Sequence, residues 1–180
     1  MASKLLHSSL ISDHPYFRAR KEAYQLPSGK IVDPYFWVEL PVSCCAMAIT
    51  RDQKAILLSQ YRHPIGKTIL ELPGGFIDSN ENPETAIARE LLEETGYTFT
   101  DIVPLGRTAA NPGVLGNYTN FFLAMGGIQT DEQHLDPNEE ISLSLHSLED
   151  VKSKLMSGEI EQSMHALCLF YGFAYLEKSW

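Results

Sequence analysis

Three things are scarce in this 180-residue chain: cysteine, positive charge and long apolar runs. The cysteines are Cys44, Cys45 and Cys168, an odd number with two of them adjacent in an apolar run. That argues against a disulfide framework, and no Cys-x-x-Cys spacing exists to hold zinc. The thiols are expected to be buried and reduced, as suits a cytoplasmic protein. Lys and Arg number 14 against 23 Asp and Glu, for a formal net charge of −9. An acidic surface repels a phosphate backbone, so nucleic acid is not an expected partner. A small anionic substrate stays open, provided a metal cation bridges the two. No uncharged apolar stretch reaches the roughly 18 residues that mark a membrane helix, so no membrane contact is expected. Residues 1–12 lack the basic start and apolar run of a signal peptide.

The remaining composition is that of an ordinary globular chain, 44% hydrophobic and 21% charged, which argues against a disordered tail and against a coiled coil. The length suits one domain with a small extension. Residues 1–15 are polar and turn-rich and are expected to be loosely held. Two extended segments, 21–25 and 30–40, flank Pro27-Ser28-Gly29 and read as a hairpin. Strands are expected at 42–50, 55–62, 68–72, 102–108, 120–125 and 141–145. Helices are expected at 148–156 and 162–176, and an acidic loop at 131–140. The clearest helix lies between Asn82, a suitable N-cap, with Pro83 at the first position, and Gly96, a suitable C-terminal stop. Mostly strands with one central helix and a helical end give an α+β fold.

The central helix carries the chemistry. At about 100° per residue, with Glu90 as origin, Glu94 lies near 40° and Glu93 near 300°, so the three carboxylates share one face. Ala88, Leu91, Leu92 and Thr95 fall opposite and are expected to pack on the sheet. Glu90 and Glu94 are like charges at i,i+4, which repel unless a cation relieves them. Carboxylates suit hard cations such as Mg²⁺ or Mn²⁺, which also engage phosphates. A plain solvated acidic face is the alternative that the helix alone leaves open.

The spacing goes further. Gly75, five residues, Glu81, seven residues, then Arg89-Glu90-Leu91-Leu92-Glu93-Glu94-Thr95-Gly96-Tyr97 resembles the Nudix box at every fixed position, with Tyr97 where an aliphatic residue is more usual. The resemblance implies a Nudix fold, an α/β/α sandwich around a mixed β-sheet, over 41–180. Residues 1–40 would be an N-terminal β-hairpin extension serving as a dimerisation element. It implies Glu90, Glu94 and Glu93 as metal ligands with the backbone carbonyl of Gly74. Glu93 is alternatively a water-orienting base, and Glu81 with Arg89 would form a structural ion pair. Arg89, lying off the carboxylate face, is not expected to quench the metal site.

Segments around the box, Ser59-Gln60-Tyr61-Arg62-His63-Pro64, Glu71-Leu72-Pro73-Gly74-Gly75 and Asn111-Pro112-Gly113, resemble the ADP-ribose pyrophosphatase branch. Pro112 lies fifteen residues beyond Tyr97, where that branch carries a proline, although Asn111 replaces its more usual serine. The branch implies a catalytic glutamate in the late acidic loop, Glu139 or its neighbour Glu140. Substrate contacts are expected from Arg62, Glu71, Pro112 and an aromatic among Tyr35, Phe36 and Trp37, with Trp37 the candidate for base stacking. His165 reads as a satisfied helix residue, and His63 and His134 as surface residues. The implied activity is Mg²⁺-dependent hydrolysis of ADP-ribose by a homodimer. The alternatives are a nucleotide-sugar pyrophosphatase acting on GDP-mannose or UDP-glucose, and a non-catalytic nucleotide sensor, a class that tends to lose the box carboxylates kept here.

Overall fold

The structure, a computed structural model, describes residues 2–14 and 17–177. Residues 1, 15, 16 and 178–180, assigned above to the N-terminal extension and the end of the main domain, lie outside the described residues. The chain divides into two compact units. One comprises Met1–Pro41 with Ala109–Tyr118, the other Val42–Thr108 with Thr119–Trp180.

The first unit is a three-stranded antiparallel meander of β1 (Lys4–His14), β2 (Phe17–Gln25) and β3 (Ile31–Glu39). The turn at 26–30 closes through Leu26 N–H to Lys30 O at 2.8 Å. Here the expectation of a loose 1–15 segment is corrected, because β1 pairs along the length of β2. Ser8 Oγ donates to Glu22 at 2.8 Å, and Asp13 accepts from Arg18 at 2.9 Å. No period-two pattern announced this strand, because Leu5, Leu6, Leu10 and Ile11 are all exposed and none marks an inner face. Segment 109–118 runs beside β3, with Val38 N–H on Val114 O at 2.7 Å and Gly116 N–H on Val38 O at 2.9 Å.

The second unit is built on a seven-stranded mixed sheet. Its strands are β4 (Ser43–Thr50), β5 (Lys54–Arg62), β6 (Lys67–Glu71), β7 (Tyr97–Thr98), β8 (Asp101–Thr108), β9 (Thr119–Gln129) and β10 (Ile141–Ser147). The order is β10-β5-β4-β9-β7, with β6 on β5 and β8 on β9. β4 and β9 are parallel, and the other pairs are antiparallel. The apolar run of β4 is buried on both faces, as a central strand must be. Met47 and Ile49 join Leu57, Phe121, Leu123, Val151 and Leu169 in one cluster, with residues of α2 (Leu148–Ser157) and α3 (Ser163–Glu177). Ala46 and Ala48 face the other way, toward Ile87 and Leu91 of α1 (Pro83–Thr95). That alternation places one helix on one face and two on the other. Truncating the fully buried Leu91 to alanine would cost about 2–5 kcal/mol. All three thiols are free and buried. No helix among the described residues is long and apolar enough to cross a membrane.

One irregularity positions the site. β4 pairs with β5 at Ile49 and Ala55 only. Beyond that point β4 donates to the segment after β6 instead. Ala46 N–H reaches Pro73 O at 3.0 Å and Cys44 N–H reaches Gly75 O at 2.9 Å. The glycine pair is thereby laid against the central strand, in front of α1.

Candidate metal and substrate site

α1 begins where its sequence says it should. The Asn82 side chain accepts the Glu84 N–H at 2.8 Å, Pro83 follows, and Gly96 ends the helix with φ of +72°. The packing face differs from the expected one. Buried residues are Ala86, Ile87, Leu91, Glu94 and Thr95, a stripe running from about −40° to 140° on the same wheel. Glu94, near 40°, lies in the middle of it. Ala88 is exposed and Leu92 half-buried. The carboxylate face and the packing face therefore overlap, and Glu94 is pulled into the interior.

Glu94 is only 7% exposed, and its Oε2 accepts the Gly74 N–H at 2.7 Å. Burial pushes its carboxyl up to about 8, against the favourable Gly74 bond, and the charges of Glu90, Glu139 and Glu71 push the same way. Burial also raises Glu90, opposed by Arg89 and reinforced by Glu93 and Glu139. The two glycines make this approach possible. Gly74 has φ of +147°, and a side chain there would run into the Cys44 carbonyl. A Cβ on Gly75 would lie 2.6 Å from Glu90 Oε1. The Cys44 thiol, pushed up to about 12 by burial, stays protonated and donates to Gly75 O.

Arg89 takes Glu81 in a two-pronged grip, Nε to Oε1 at 3.0 Å and Nη2 to Oε2 at 3.0 Å. The same guanidinium also donates from Nη1 to Glu90 at 2.9 Å and to Glu93 at 3.0 Å. Although its Cα lies off the carboxylate face, Arg89 thus reaches two of the carboxylates expected at the metal. A long side chain is not confined to the bearing of its Cα, and the guanidinium follows the charge. Glu81 is held below its ordinary range by that grip.

Among the described residues, no three of His, Cys, Asp and Glu are gathered closely enough to hold a metal ion. The donor set nonetheless fits a hard divalent cation. Glu90 and Glu94 are carboxylates withdrawn from water, and the charge of Glu90 raises the cost of charging Glu94; oxygen ligands of that kind suit such ions. Glu93, 43% exposed at its side chain, is engaged by Arg89 instead.

Arg62 and Glu71, both expected at the substrate, are found bonded to each other. Arg62 donates from Nε at 3.0 Å and from Nη2 at 2.6 Å to the carboxylate of buried Glu71. Arg62 keeps nearly half of its side chain exposed. His165 Nδ1 accepts the Leu72 N–H at 3.1 Å. Burial first, and the charge of Arg62 second, drive it down to about 3, so it stays neutral. His63 and His134 are exposed.

The acidic loop behind α1 is fastened to the helix. Gly96 O accepts from Thr130 N–H at 2.9 Å and Asp131 N–H at 3.1 Å, and Glu93 O accepts from His134 N–H at 2.8 Å. The Gln133 side chain donates to Glu94 O at 2.6 Å, and Leu135 packs beside the cluster of Ile87 and Leu91. Glu139 closes a short turn on Asp136, and its charge reaches both Glu90 and Glu94. Sequence reasoning missed Gln133. A glutamine in a polar loop carries no pattern, and only its contact with a helix carbonyl sets it apart.

Trp37 and Pro112 belong to the first unit. Trp37 is half-buried over Gly116 and under Arg20, whose guanidinium carbon is 5.8 Å from the ring centre. Pro112 is exposed on the segment bonded to β3. Tyr35 is half-buried with its hydroxyl on Gly113 O, and Phe36 is exposed.

The family model described as NUDIX domain matches residues 39–167. The chain is 30% identical over 151 residues to a Bacillus subtilis protein named ADP-ribose pyrophosphatase, covering 83% of this chain and 81% of that one. It is 28% identical over 174 residues to a Bacillus methanolicus protein named methanol dehydrogenase activator, covering 93% and 94%. A crystal structure titled ADP compounds hydrolase superposes with a TM-score of 0.86 at 18% identity, covering 99% of this chain and 96% of that one. At that identity the likeness concerns the fold.

Proposed function

The chain belongs to the Nudix hydrolase family, and on that footing we propose that it hydrolyses ADP-ribose to AMP and ribose 5-phosphate. Nudix hydrolases generally use a divalent metal. The observation that carries this reading is the pair of desolvated carboxylates, Glu90 and Glu94, set against Gly74-Gly75. The similarity to the Bacillus subtilis protein supports the substrate.

In this reading Glu90, Glu94, Glu93 and the Gly74 carbonyl hold Mg²⁺, with Mn²⁺ as a substitute. When bound, such an ion neutralises pyrophosphate charge and makes a bound water more acidic. The remaining work falls to the chain. Arg89 releases Nη1 from Glu93 while keeping its two-pronged hold on Glu81, so the loop before α1 stays braced. Arg62, oriented by buried Glu71, offers its outer N–H groups to a phosphate oxygen. Glu139 or Glu93 takes the proton of the attacking water, and the charge that Glu139 exerts on both buried carboxyls supports a place for it near them, with Glu140 as its alternative. Trp37 and Pro112 contact the nucleoside. The exposed Leu5, Leu6, Leu10, Ile11 and Phe17 of the meander support a homodimer formed through residues 1–40. Free, buried thiols suit the cytoplasm.

The test is a substrate panel of ADP-ribose, GDP-mannose and UDP-glucose, with Mg²⁺ or Mn²⁺. AMP release from ADP-ribose at the highest kcat/KM is expected. Turnover of GDP-mannose without AMP release from ADP-ribose would sink the substrate assignment. No turnover of any of them would leave a binding protein.

A further inference from the structure

We propose that Gln133 is a positioning residue, which sets Glu139 against the carboxylates of α1 by tying the acidic loop to the carbonyl of Glu94. The inference rests on the reading that Glu139 handles the attacking water.

The last carbonyls of a helix have no partner inside it. In α1 these include the carbonyls of Glu93 and Glu94, residues whose side chains are the proposed ligands. The first accepts the His134 N–H and the second accepts Gln133 Nε2. Gly96 O takes two further N–H groups from Thr130 and Asp131, and a side chain at Gly96 would strike the Asp131 carbonyl. The loop therefore lies directly on the helix end, and Leu135 drives its next residue against the apolar cluster of α1. Among these hydrogen bonds only that of Gln133 comes from a side chain. Main-chain donors are present whatever the sequence, so among these hydrogen bonds Gln133 supplies the one that the sequence can remove, next to the turn that carries Glu139.

What the fastening controls lies close by in the chain. From Leu135 the loop enters the short turn in which Asp136 N–H donates to Glu139 Oε2 at 3.1 Å and Glu139 N–H donates to Asp136 O at 2.9 Å. Clamped at 130–135 and closed on itself at 136–139, the loop has little slack with which to misplace the carboxylate. Gln133 is itself solvent-exposed. Its removal leaves the apolar core untouched, and its effect should appear in turnover rather than in folding.

The experiment is a double-mutant cycle on the full chain with ADP-ribose and Mg²⁺. Gln133→Ala should lower kcat about ten-fold, the scale of outer partners that orient reacting groups, with KM within about two-fold. Gln133→Glu, nearly the same shape without the donor, should behave as Gln133→Ala does. In a Glu139→Gln background, Gln133→Ala should have no further effect. In the metal-free protein, amide exchange at 134–139 should quicken in Gln133→Ala while the melting temperature holds. Parent-like kcat, unchanged exchange, or an equal loss in both backgrounds overturns the proposal while leaving Glu139 its role. If Glu139→Gln alone turns over like the parent, the assignment of Glu139 falls and the proposal falls with it.

Discussion

The segments on either side of α1 are held by different forces. Ahead of the helix, main-chain bonds lay Pro73 and Gly75 on β4, but the tie between 72–81 and α1 itself depends on charge. Arg89 grips Glu81 and touches Glu90 and Glu93, while Glu94 accepts from Gly74. Behind it, 130–135 is tied to α1 by neutral hydrogen bonds to the carbonyls of residues 93, 94 and 96 and by the packing of Leu135, with the Asp131–His134 pair lying within the segment itself. Charge-held contacts answer to salt, to protonation and to an arriving cation. Contacts on helix carbonyls do not. The site thus has an adjustable front and a fixed back, a sensible division for a centre that must admit a cation without losing its geometry.

The largest expected effect comes from the residue the two sides share. Glu94 presents its carboxylate forward to Gly74 and its carbonyl backward to Gln133. Glu94→Gln keeps the shape and an acceptor for Gly74, but removes the charge. Activity should fall at least about 100-fold, since even outer partners of metal ligands cost 10–100-fold. Stability should move the other way. The folded carboxyl, raised to about 8 from an ordinary 4.5, holds its proton more tightly than the unfolded one. In the metal-free parent that contribution is present in full below the ordinary value and is lost as pH rises through about 8. Urea unfolding in chelator should show this decline in the parent and a flatter profile in Glu94→Gln. An equal slope in both would place the pH dependence elsewhere.

Arg89→Lys attacks the front alone. A lysine ammonium is a single point of charge and cannot grip Glu81 with two prongs while also reaching Glu90 and Glu93. A fall in kcat of about 10–100-fold is expected, with the residual activity more sensitive to added NaCl than the parent's. Parent-like turnover across a salt series would show that the front is not held by charge.

How much of this could be read in advance varies with the physics involved. The limits of α1 were legible because capping is local: Asn82, Pro83 and Gly96 act within one turn of where they sit. The Glu81–Arg89 pair was legible through the box spacing. The burial of Glu94 was not. A helical wheel shows which residues share a face, but the sheet decides which face packs, and Ile87 and Leu91 drew that face across Glu94. The pairing of Arg62 with Glu71 also escaped the sequence. Both were expected at the substrate; in the β5–β6 register Arg62 lies opposite Lys67 and Glu71 opposite Leu58, so the reach of the arginine side chain, not strand pairing, joins them. β1 escaped for a different reason, since its apolar side chains are exposed and a strand without an inner face has no period to detect. The fastening of 130–135 escaped because three of its donors are main-chain groups, which leave no trace in residue identity, and a lone glutamine carries no pattern.

The smallest expected effect separates the start of the helix from the charges it presents. Asn82 caps α1 through the Glu84 N–H and makes no contact with Glu90, Glu93, Glu94 or Arg89 among its described hydrogen bonds. Asn82→Ala should therefore lower stability by about 1 kcal/mol, the usual cost of losing a cap, and leave kcat within about two-fold of the parent. Chemical denaturation and steady-state kinetics on the same preparation would read both. The contrast with Arg89→Lys is the point of the experiment. Asn82 and Arg89 lie within two turns of each other, yet one loss should appear only in folding and the other chiefly in turnover. If Asn82→Ala reduced kcat as Arg89→Lys does, the front of the site would be positioned by where the helix begins. Front and back would then both be extensions of the helix backbone, and charge would serve the cation alone.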